Sequence, residues 1–389
     1  MLNFADYNLD PKILTALEIL GFKEPLPIQA EAIPLIQKKR DLIALAETGS
    51  GKTAACAIPI CDRVDTSRPV IQALIVVPTR ELALQYAIET QKIGDVKGVK
   101  TFAVYGGENL GLQQSKLKHG VHVCVATPGR LIDFIYSSSI DLTNVETIIL
   151  DEADEMLGMG FYDNLEFIMS CLVHEHQTLL FSATMPKEIR EIAMRHMKDP
   201  LEVTLNAGQK TPALIEHFFS YSEHPRKRLE DLERLLHKLK PKQGLIFCRS
   251  RDEVEEVCRD LQRSFRDVEY LHAGLAQEKR SSITGRFRSG KTHLLVATDV
   301  AARGLDFSGV THVFHYHLPR DPEAYVHRSG RTGRSGRAGV SVALVTDRDM
   351  PAVQPILKHI GRELQWIEPP SAHPAPRSYH HRHPGSRGH

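Results

Sequence analysis

No pair of the six cysteines, at positions 56, 61, 124, 171, 248 and 258, has CxxC spacing, and several lie inside apolar runs. They read as buried free thiols of a reducing compartment rather than a disulfide framework. No apolar run approaches the roughly eighteen residues that a membrane-crossing helix needs, so no membrane partner is expected. The opening Met1-Leu2-Asn3-Phe4-Ala5-Asp6 has neither the basic start nor the apolar stretch of a secretory leader, which leaves the cytoplasm as the expected location. An excess of one charge is missing too. Lys and Arg number 49 against 48 Asp and Glu, a net of +1, so any basic footprint for a nucleic acid has to be local.

What is present suits a globular enzyme. A hydrophobic content of 42% with 25% charged residues excludes a disordered chain, and 389 residues are too many for one typical core and suit two domains. Short β-like runs alternate with helical stretches in two series. The first includes Ala73 to Val77, His122 to Ala126, Thr147 to Leu150 and Thr178 to Phe181; the second includes Gly244 to Cys248, His293 to Ala297, Thr311 to Tyr316 and Val340 to Val345. Such alternation predicts α/β architecture, with mostly parallel sheets covered by helices on both faces. Between the series, Asn206-Ala207-Gly208-Gln209-Lys210-Thr211-Pro212 is polar and aperiodic, which divides the chain into 1–207, a linker at 208–213, and 214–367. The remainder, 368–389, is rich in His, Pro and Arg, lacks acids after Glu368, and is expected to be disordered: a bland end, a source of non-specific nucleic-acid affinity through its arginines, or, third, a histidine-rich metal-capturing segment.

The segment Ala46-Glu47-Thr48-Gly49-Ser50-Gly51-Lys52-Thr53 is a phosphate-binding loop. Its small residues let backbone N–H groups approach a triphosphate, Lys52 reaches the outer phosphates, and the Thr53 hydroxyl ligates Mg²⁺. Ala46 replaces the usual first glycine, where only small bulk is needed. The apolar run 41–45 before it reads as a strand and 53–58 after it as a helix. About a hundred residues later comes Asp151-Glu152-Ala153-Asp154, delivered by the apolar strand Thr147–Leu150 at its carboxyl end, where open α/β sheets place ligands. Asp151 is then a Mg²⁺ partner, direct or through water, and Glu152 the base that orients and deprotonates the attacking water. Adjacent acids alone would read as a solvated helix start.

The strongest local charge feature is His327-Arg328-Ser329-Gly330-Arg331-Thr332-Gly333-Arg334-Ser335-Gly336-Arg337. By spacing it is either a basic turn for phosphates or a catalytic element. A γ-phosphate held in the first domain needs positive charge opposite the loop, which tilts the reading toward catalysis.

Together these motifs resemble the DEAD-box RNA helicases of superfamily 2, from about Phe4 to Trp366. The resemblance implies two RecA-like domains in tandem, ATP and Mg²⁺ as cofactors, and a backbone-directed, sequence-indifferent RNA partner. Gly21-Phe22 with Pro25-Leu26-Pro27-Ile28-Gln29 resembles the Q motif, in which Gln29 reads adenine, Phe22 stacks on it and Phe4 supports the stack. Leu26 stands where the family usually has Thr or Ser. Pro78-Thr79-Arg80, Gly106-Gly107 and Thr127-Pro128-Gly129-Arg130 resemble the first-domain elements that grip the RNA backbone, and their turns and arginines suit phosphate. Arg249, Gln277, Arg280, Thr298 and Asp299 match RNA-contacting positions of the second domain. Gly304 and Asp306 match nucleotide contacts, Asp306 toward the ribose, and Arg331 and Arg334 match the two arginine fingers. Ser182-Ala183-Thr184 resembles the coupling motif, whose hydroxyls and Asp154 are expected to bond across to His327.

Where the family commonly reads apolar-Asn-Tyr-Asp, the chain has Phe314-His315-Tyr316-His317. No third ligand is placed for this histidine pair, so structural histidines are expected. The mechanism implied is closure of the two domains on ATP and RNA, with local separation of short duplexes or remodelling of ribonucleoprotein. Two rivals are an ATP-dependent RNA clamp that serves as an assembly platform, and a P-loop ATPase acting on a protein. The core is expected to be monomeric, with protein partners setting target choice.

Overall fold

The computed structural model describes residues 3–46, 50–204, 214–302, 309–333 and 337–370, with the side chain of Gln277 left undescribed. Two seven-stranded sheets dominate it. The first contains β1 (Leu42–Leu45), β2 (Ala73–Val76), β3 (Thr101–Val104), β4 (Val123–Ala126), β5 (Thr147–Leu150), β6 (Gln177–Ser182) and β7 (Leu201–Thr204). The second contains β8 (Ile215–Tyr221), β9 (Gly244–Cys248), β10 (Val268–Leu271), β11 (Leu294–Thr298), β12 (His312–His315), β13 (Gly339–Val345) and β14 (Trp366–Glu368). Every strand pairing within them is parallel.

The central strands are apolar along their whole length because both faces are covered. Alternate residues of β2 go to opposite layers, Ile75 packing with Ala44 and Phe181 on one side while Leu74 and Val76 pack with Ile148 and Leu180 on the other. In the second sheet Ile246 and Phe314 face one layer, and Leu245, Phe247 and Val313 the other. The strands that apolar runs reveal least are β3, β7, β10 and β14, which carry half-buried or exposed positions. All four are sheet edges, so one face or one end of each meets solvent, and the apolar signal is broken.

The order of the first sheet is β3-β4-β2-β5-β6-β1-β7, and that of the second, β10-β11-β9-β12-β13-β8-β14, is the same permutation counted from its own first strand. The chain therefore builds one architecture twice, without a second phosphate loop. Among the described residues, no helix is long and apolar enough to cross a membrane. The terminal segment read as disordered lies, from residue 371, outside the described residues, as does the whole of the linker 208–213.

Candidate nucleotide and nucleic-acid site

Strand order sorts the motifs of the first unit. The turns after β3, β4 and β2, neighbours in the sheet, carry Gly106-Gly107, Thr127 to Arg130 and Pro78 to Arg80, whereas β5, β6 and β1 deliver Asp151-Glu152, Ser182 and the phosphate loop. One half of the carboxyl edge thus holds the expected RNA positions and the other half the expected nucleotide positions.

Gly51 caps the helix Lys52–Arg63 with φ +95, a conformation in which a Cβ would also meet the Leu26 side chain at 2.6 Å. The helix presents its positive end, with Lys52 and Thr53 in its first turn, beside the acids. Lys52 is buried, donates from Nζ to the Ala46 carbonyl at 2.9 Å, and lies 3.8 Å from Oδ1 of Asp151. Asp151 accepts the Glu152 N–H at 2.8 Å. Burial raises the pKa of both carboxyls, with Lys52 opposing it. Glu152 is held at φ +54, uncommon for a non-glycine residue, and its buried Oε2 has no hydrogen-bond partner among the described residues. The buried Ser50 hydroxyl is likewise without one. A buried lysine, two buried carboxylates and unpartnered oxygen atoms fit a Mg²⁺-bound triphosphate. Glu47, Thr48 and Gly49 lie outside the described residues, as do Gly304, Asp306 and Arg334.

Gln29 is buried and its amide spans two elements: Oε1 accepts the Leu26 N–H at 2.9 Å and Nε2 donates to the Gly51 carbonyl at 3.3 Å. It thereby ties the segment before its helix to the phosphate loop. Phe4 packs edge-on against Phe22, with ring centroids 6.0 Å apart.

The expected link between the units needs a correction. Thr184 donates twice to Oδ2 of Asp154, from its N and Oγ1 at 2.9 Å, and Ser182 Oγ accepts the Asp154 N–H at 3.2 Å. These bonds close within the first unit, and the group that faces His327 is Glu155, whose Oε1 lies 3.6 Å from Nδ1. Asp154 is taken up by Thr184, so the next residue along the helix start meets the second unit. Arg331 is 4% exposed, donates from Nε to the His327 carbonyl at 3.3 Å, and its charge acts on Glu152.

In the RNA half, Thr79 caps the helix Arg80–Gly94 by accepting the Leu82 N–H at 3.2 Å. Arg80 stacks 4.4 Å over the ring of Tyr105 and donates to the Gly107 carbonyl at 3.4 Å. Gly107 has φ +81. Thr127 precedes the helix Pro128–Tyr136, from which Arg130 donates to the Glu108 carbonyl at 3.0 Å. Nε of Arg80 and Nη1 of Arg130 are buried without a hydrogen-bond partner among the described residues, while Nε of Arg130 lies 3.5 Å from Oδ2 of Asp133. In the second unit, Arg249 follows β9 and Thr298 ends β11, while Asp299 accepts two bonds from Arg328 at 2.5 and 2.7 Å. Arg280 pairs at 3.0 Å with Glu81 of the first unit. Sequence reasoning placed Glu81 inside the motif Pro78 to Leu82 without a role of its own, and missed Tyr105 and Glu155. Tyr105 and Glu155 each adjoin a motif residue, the one available hint.

Two repeated α/β units, with a phosphate loop on one and on the other a buried arginine whose charge acts on Glu152, define a P-loop nucleoside triphosphatase. The DEAD/DEAH box helicase family model matches residues 26–192, and the Helicase conserved C-terminal domain matches residues 227–336. The chain is 44% identical over 371 residues, 95% of its length and 79% of the relative's, to a DEAD-box ATP-dependent RNA helicase CshA of Geobacillus kaustophilus. The chain belongs to the DEAD-box family of ATP-dependent RNA helicases, and its two sheets are the tandem RecA-like domains of that family. Among solved structures it is similar to S. cerevisiae Dbp5 bound to RNA and ADP BeF3, with TM-score 0.86, 28% identity, and coverage of 94% of this chain and 95% of that one. A DEAD box protein from the hyperthermophile Methanococcus jannaschii is more identical, 36%, with 95% and 99% covered, yet has a TM-score of 0.54. Taken over the whole chain, the structure is thus nearer to the RNA-bound Dbp5.

Proposed function

We propose that the chain couples RNA-stimulated hydrolysis of ATP to closure of its two domains, and uses the cycle to separate short RNA duplexes or remodel ribonucleoprotein. The observation that carries this reading is Arg331, buried in the second domain and acting on Glu152 of the first. In the proposed chemistry Glu152 orients the attacking water and takes its proton, Lys52 and the loop N–H groups hold the phosphates, and Arg331 with Arg334 offsets charge developing on the γ-phosphoryl group. Thr53 and Asp151 are the residues that would hold Mg²⁺, which when bound neutralises charge between the outer phosphates. Gln29 with Phe22, supported by Phe4, selects adenine, and Gly304 and Asp306 complete the nucleotide site.

RNA is held through its backbone by residues 78–80, 106–107 and 127–130 of the first domain and by Arg249, Gln277, Arg280, Thr298 and Asp299 of the second. Buried N–H groups without a hydrogen-bond acceptor, at Nε of Arg80 and Nη1 of Arg130, support phosphate contact, which carries no base information. We assign the domains to 1–207 and 214–367, joined by 208–213, with 368–389 as a tail. Both halves of the nucleotide site lie in one chain, which supports a monomeric core, and six unpaired cysteines support a reducing, cytoplasmic location. Protein partners would then set the target.

Steady-state ATP hydrolysis, measured with single-stranded RNA, with single-stranded DNA and without either, beside release of a short RNA duplex, tests the reading. Stimulation by RNA with ATP-dependent release is expected. Stimulation without release would favour a clamp, and no stimulation by either nucleic acid would overturn an RNA-directed function.

A further inference from the structure

Two residues beyond β12, the ring of His317 is held on both edges. Its Nδ1 meets the guanidinium of Arg228, and its Nε2 lies 2.5 Å from Oε1 of Glu253. A guanidinium has only N–H groups to offer, so Nδ1 carries the lone pair and the proton sits on Nε2, facing the carboxylate. The imidazole is therefore neutral, and burial lowers its pKa even with Glu253 beside it. The other oxygen of Glu253 accepts the backbone N–H of Arg249 at 2.8 Å, and Ser250 caps the same helix by accepting the Glu253 N–H at 3.2 Å. The turn that displays Arg249 is thus fixed from below by Glu253, and Glu253 by His317.

The main chain of His317 makes the second half of the connection. Its carbonyl accepts from Nη1 of Arg328 at 2.8 Å, while Arg328 grips Asp299 with its other nitrogens and lies 5.2 Å over the ring of Phe247. Arg328 belongs to the helix Pro322–Ser329, next to His327 and three residues before Arg331. On the far side Arg228 is anchored to Asp349 at 2.5 Å. One residue consequently joins three elements: the helix leading to the arginine finger, the turn at Arg249, and the start of the helix Arg228–Leu239.

We propose that His317 is a positioning residue that binds the arginine-finger helix to the RNA-facing turn at Arg249, so that RNA engagement and finger placement shift together. The inference rests on reading Arg249 and Asp299 as RNA contacts. A neutral histidine suits this place because it offers an acceptor to Arg228 and a donor to Glu253 on opposite edges. The aspartate common in the family at this position would keep the first contact but set two carboxylates against each other.

The test is RNA-stimulated ATP hydrolysis by the full chain, titrated once with single-stranded RNA and once with ATP at saturating RNA. H317D is expected to raise the half-saturating RNA concentration about tenfold and to lower kcat at saturating RNA with it, while the KM for ATP moves less than about twofold, because the loss of one charge-assisted bond loosens the turn and the finger helix together and leaves ATP binding alone. In H317D/E253Q the amide can donate to the new carboxylate and accept from Arg249, so the RNA constant is expected to return to within about threefold of the parent. H317L, which removes both contacts without adding charge, carries the test if H317D does not fold, and the same RNA-selective shift is expected. Equal movement of the RNA and ATP constants, an unchanged RNA constant, or failure of E253Q to rescue H317D would each overturn the proposal. A parent protein that ignores RNA would instead overturn the function on which it rests.

Discussion

The guanidinium of Arg280 stands 3.0 Å from the carboxylate of Glu81 across the boundary between the two domains, with only 18% and 9% of the two side chains exposed. Glu81 follows Arg80 in the first turn of its helix, and Arg280 is in the first turn of the helix Gln277–Arg288, so the pair joins the expected RNA positions of one domain to those of the other. Leaving one member of a buried pair alone costs roughly 3–5 kcal/mol. That cost falls on the closed arrangement, because an opened interface returns both groups to water.

E81A is therefore expected to lower RNA-stimulated turnover about tenfold or more, a loss of at least about 1.4 kcal/mol of the closed state. The reversed pair E81R/R280E should recover part of that loss. Turnover at saturating ATP checks both, and a double variant no better than either single one would count against a direct pairing across the interface.

Substitution of Glu152 separates binding from chemistry. Its unpartnered oxygen faces the site while Lys52 and Asp151 lie beside it, so E152Q removes the base and leaves the phosphate loop intact. Turnover is expected to fall about a thousandfold or more, within the range of general-base catalysis aided by water positioning. ATP-dependent RNA binding, followed by fluorescence anisotropy, should persist. Loss of binding together with turnover would mean that Glu152 holds the closed state rather than the water.

The nucleotide half of this site was legible because its chemistry is local: a loop of small residues before Lys52, and acids at the end of an apolar strand, declare themselves in eight and four residues. The paired sheets were legible from runs such as Thr147–Leu150, which the structure returns unchanged as β5. What could not be read were contacts between residues far apart. Nothing in the sequence near Glu155 says that it, and not Asp154, meets His327, since that depends on Thr184 occupying the Asp154 carboxylate. Nor does the sequence announce that Gln29 would span Leu26 and Gly51. Edge strands were hidden for another reason, as solvent on one side lets polar residues interrupt the pattern.

Leu26 occupies the N-cap of the helix Pro27–Gln37 without a side-chain hydrogen bond to it, leaving Gln29 to bond back to the Leu26 N–H. A hydroxyl there would accept one of the free N–H groups of the first turn, a change worth about 1 kcal/mol. Leu26 is 48% exposed, so little apolar burial is lost. L26T is expected to raise the melting temperature of the first domain by about 2–4 °C. Differential scanning calorimetry reads this directly, and a lower melting temperature would show that the Leu26 contact with Gly51 outweighs the missing cap.

The second domain carries an acid-sensitive core. His217 is 4% exposed and shares a hydrogen bond of 3.0 Å between its Nδ1 and the Tyr325 hydroxyl, whose ring also stacks 4.5 Å from that of His315. His315 bonds through Nε2 to Ser341 at 3.0 Å and to Ser329 at 3.3 Å. His315 is thus hydrogen-bonded inside the core, and no group of three metal-ligating side chains occurs among the described residues. Burial, with Arg362 adding to it, lowers the pKa of His217 from 6.5 to about 4, and burial holds His315 well below its usual value. A depressed histidine favours the folded state only while neutral. Below pH 6.5 the unfolded chain takes up a proton that the folded chain refuses, so stability is complete above 6.5 and is lost as pH falls toward about 4. For His217 alone the loss across that window is roughly 3 kcal/mol, at about 1.4 kcal/mol per pH unit. H217N keeps an acceptor for Tyr325 but cannot titrate, so its stability, though lower at neutral pH, should fall less steeply with acid by about one proton. Urea unfolding at a series of pH values measures that slope, and equal slopes in the parent and H217N would show that His217 is already protonated in the folded protein.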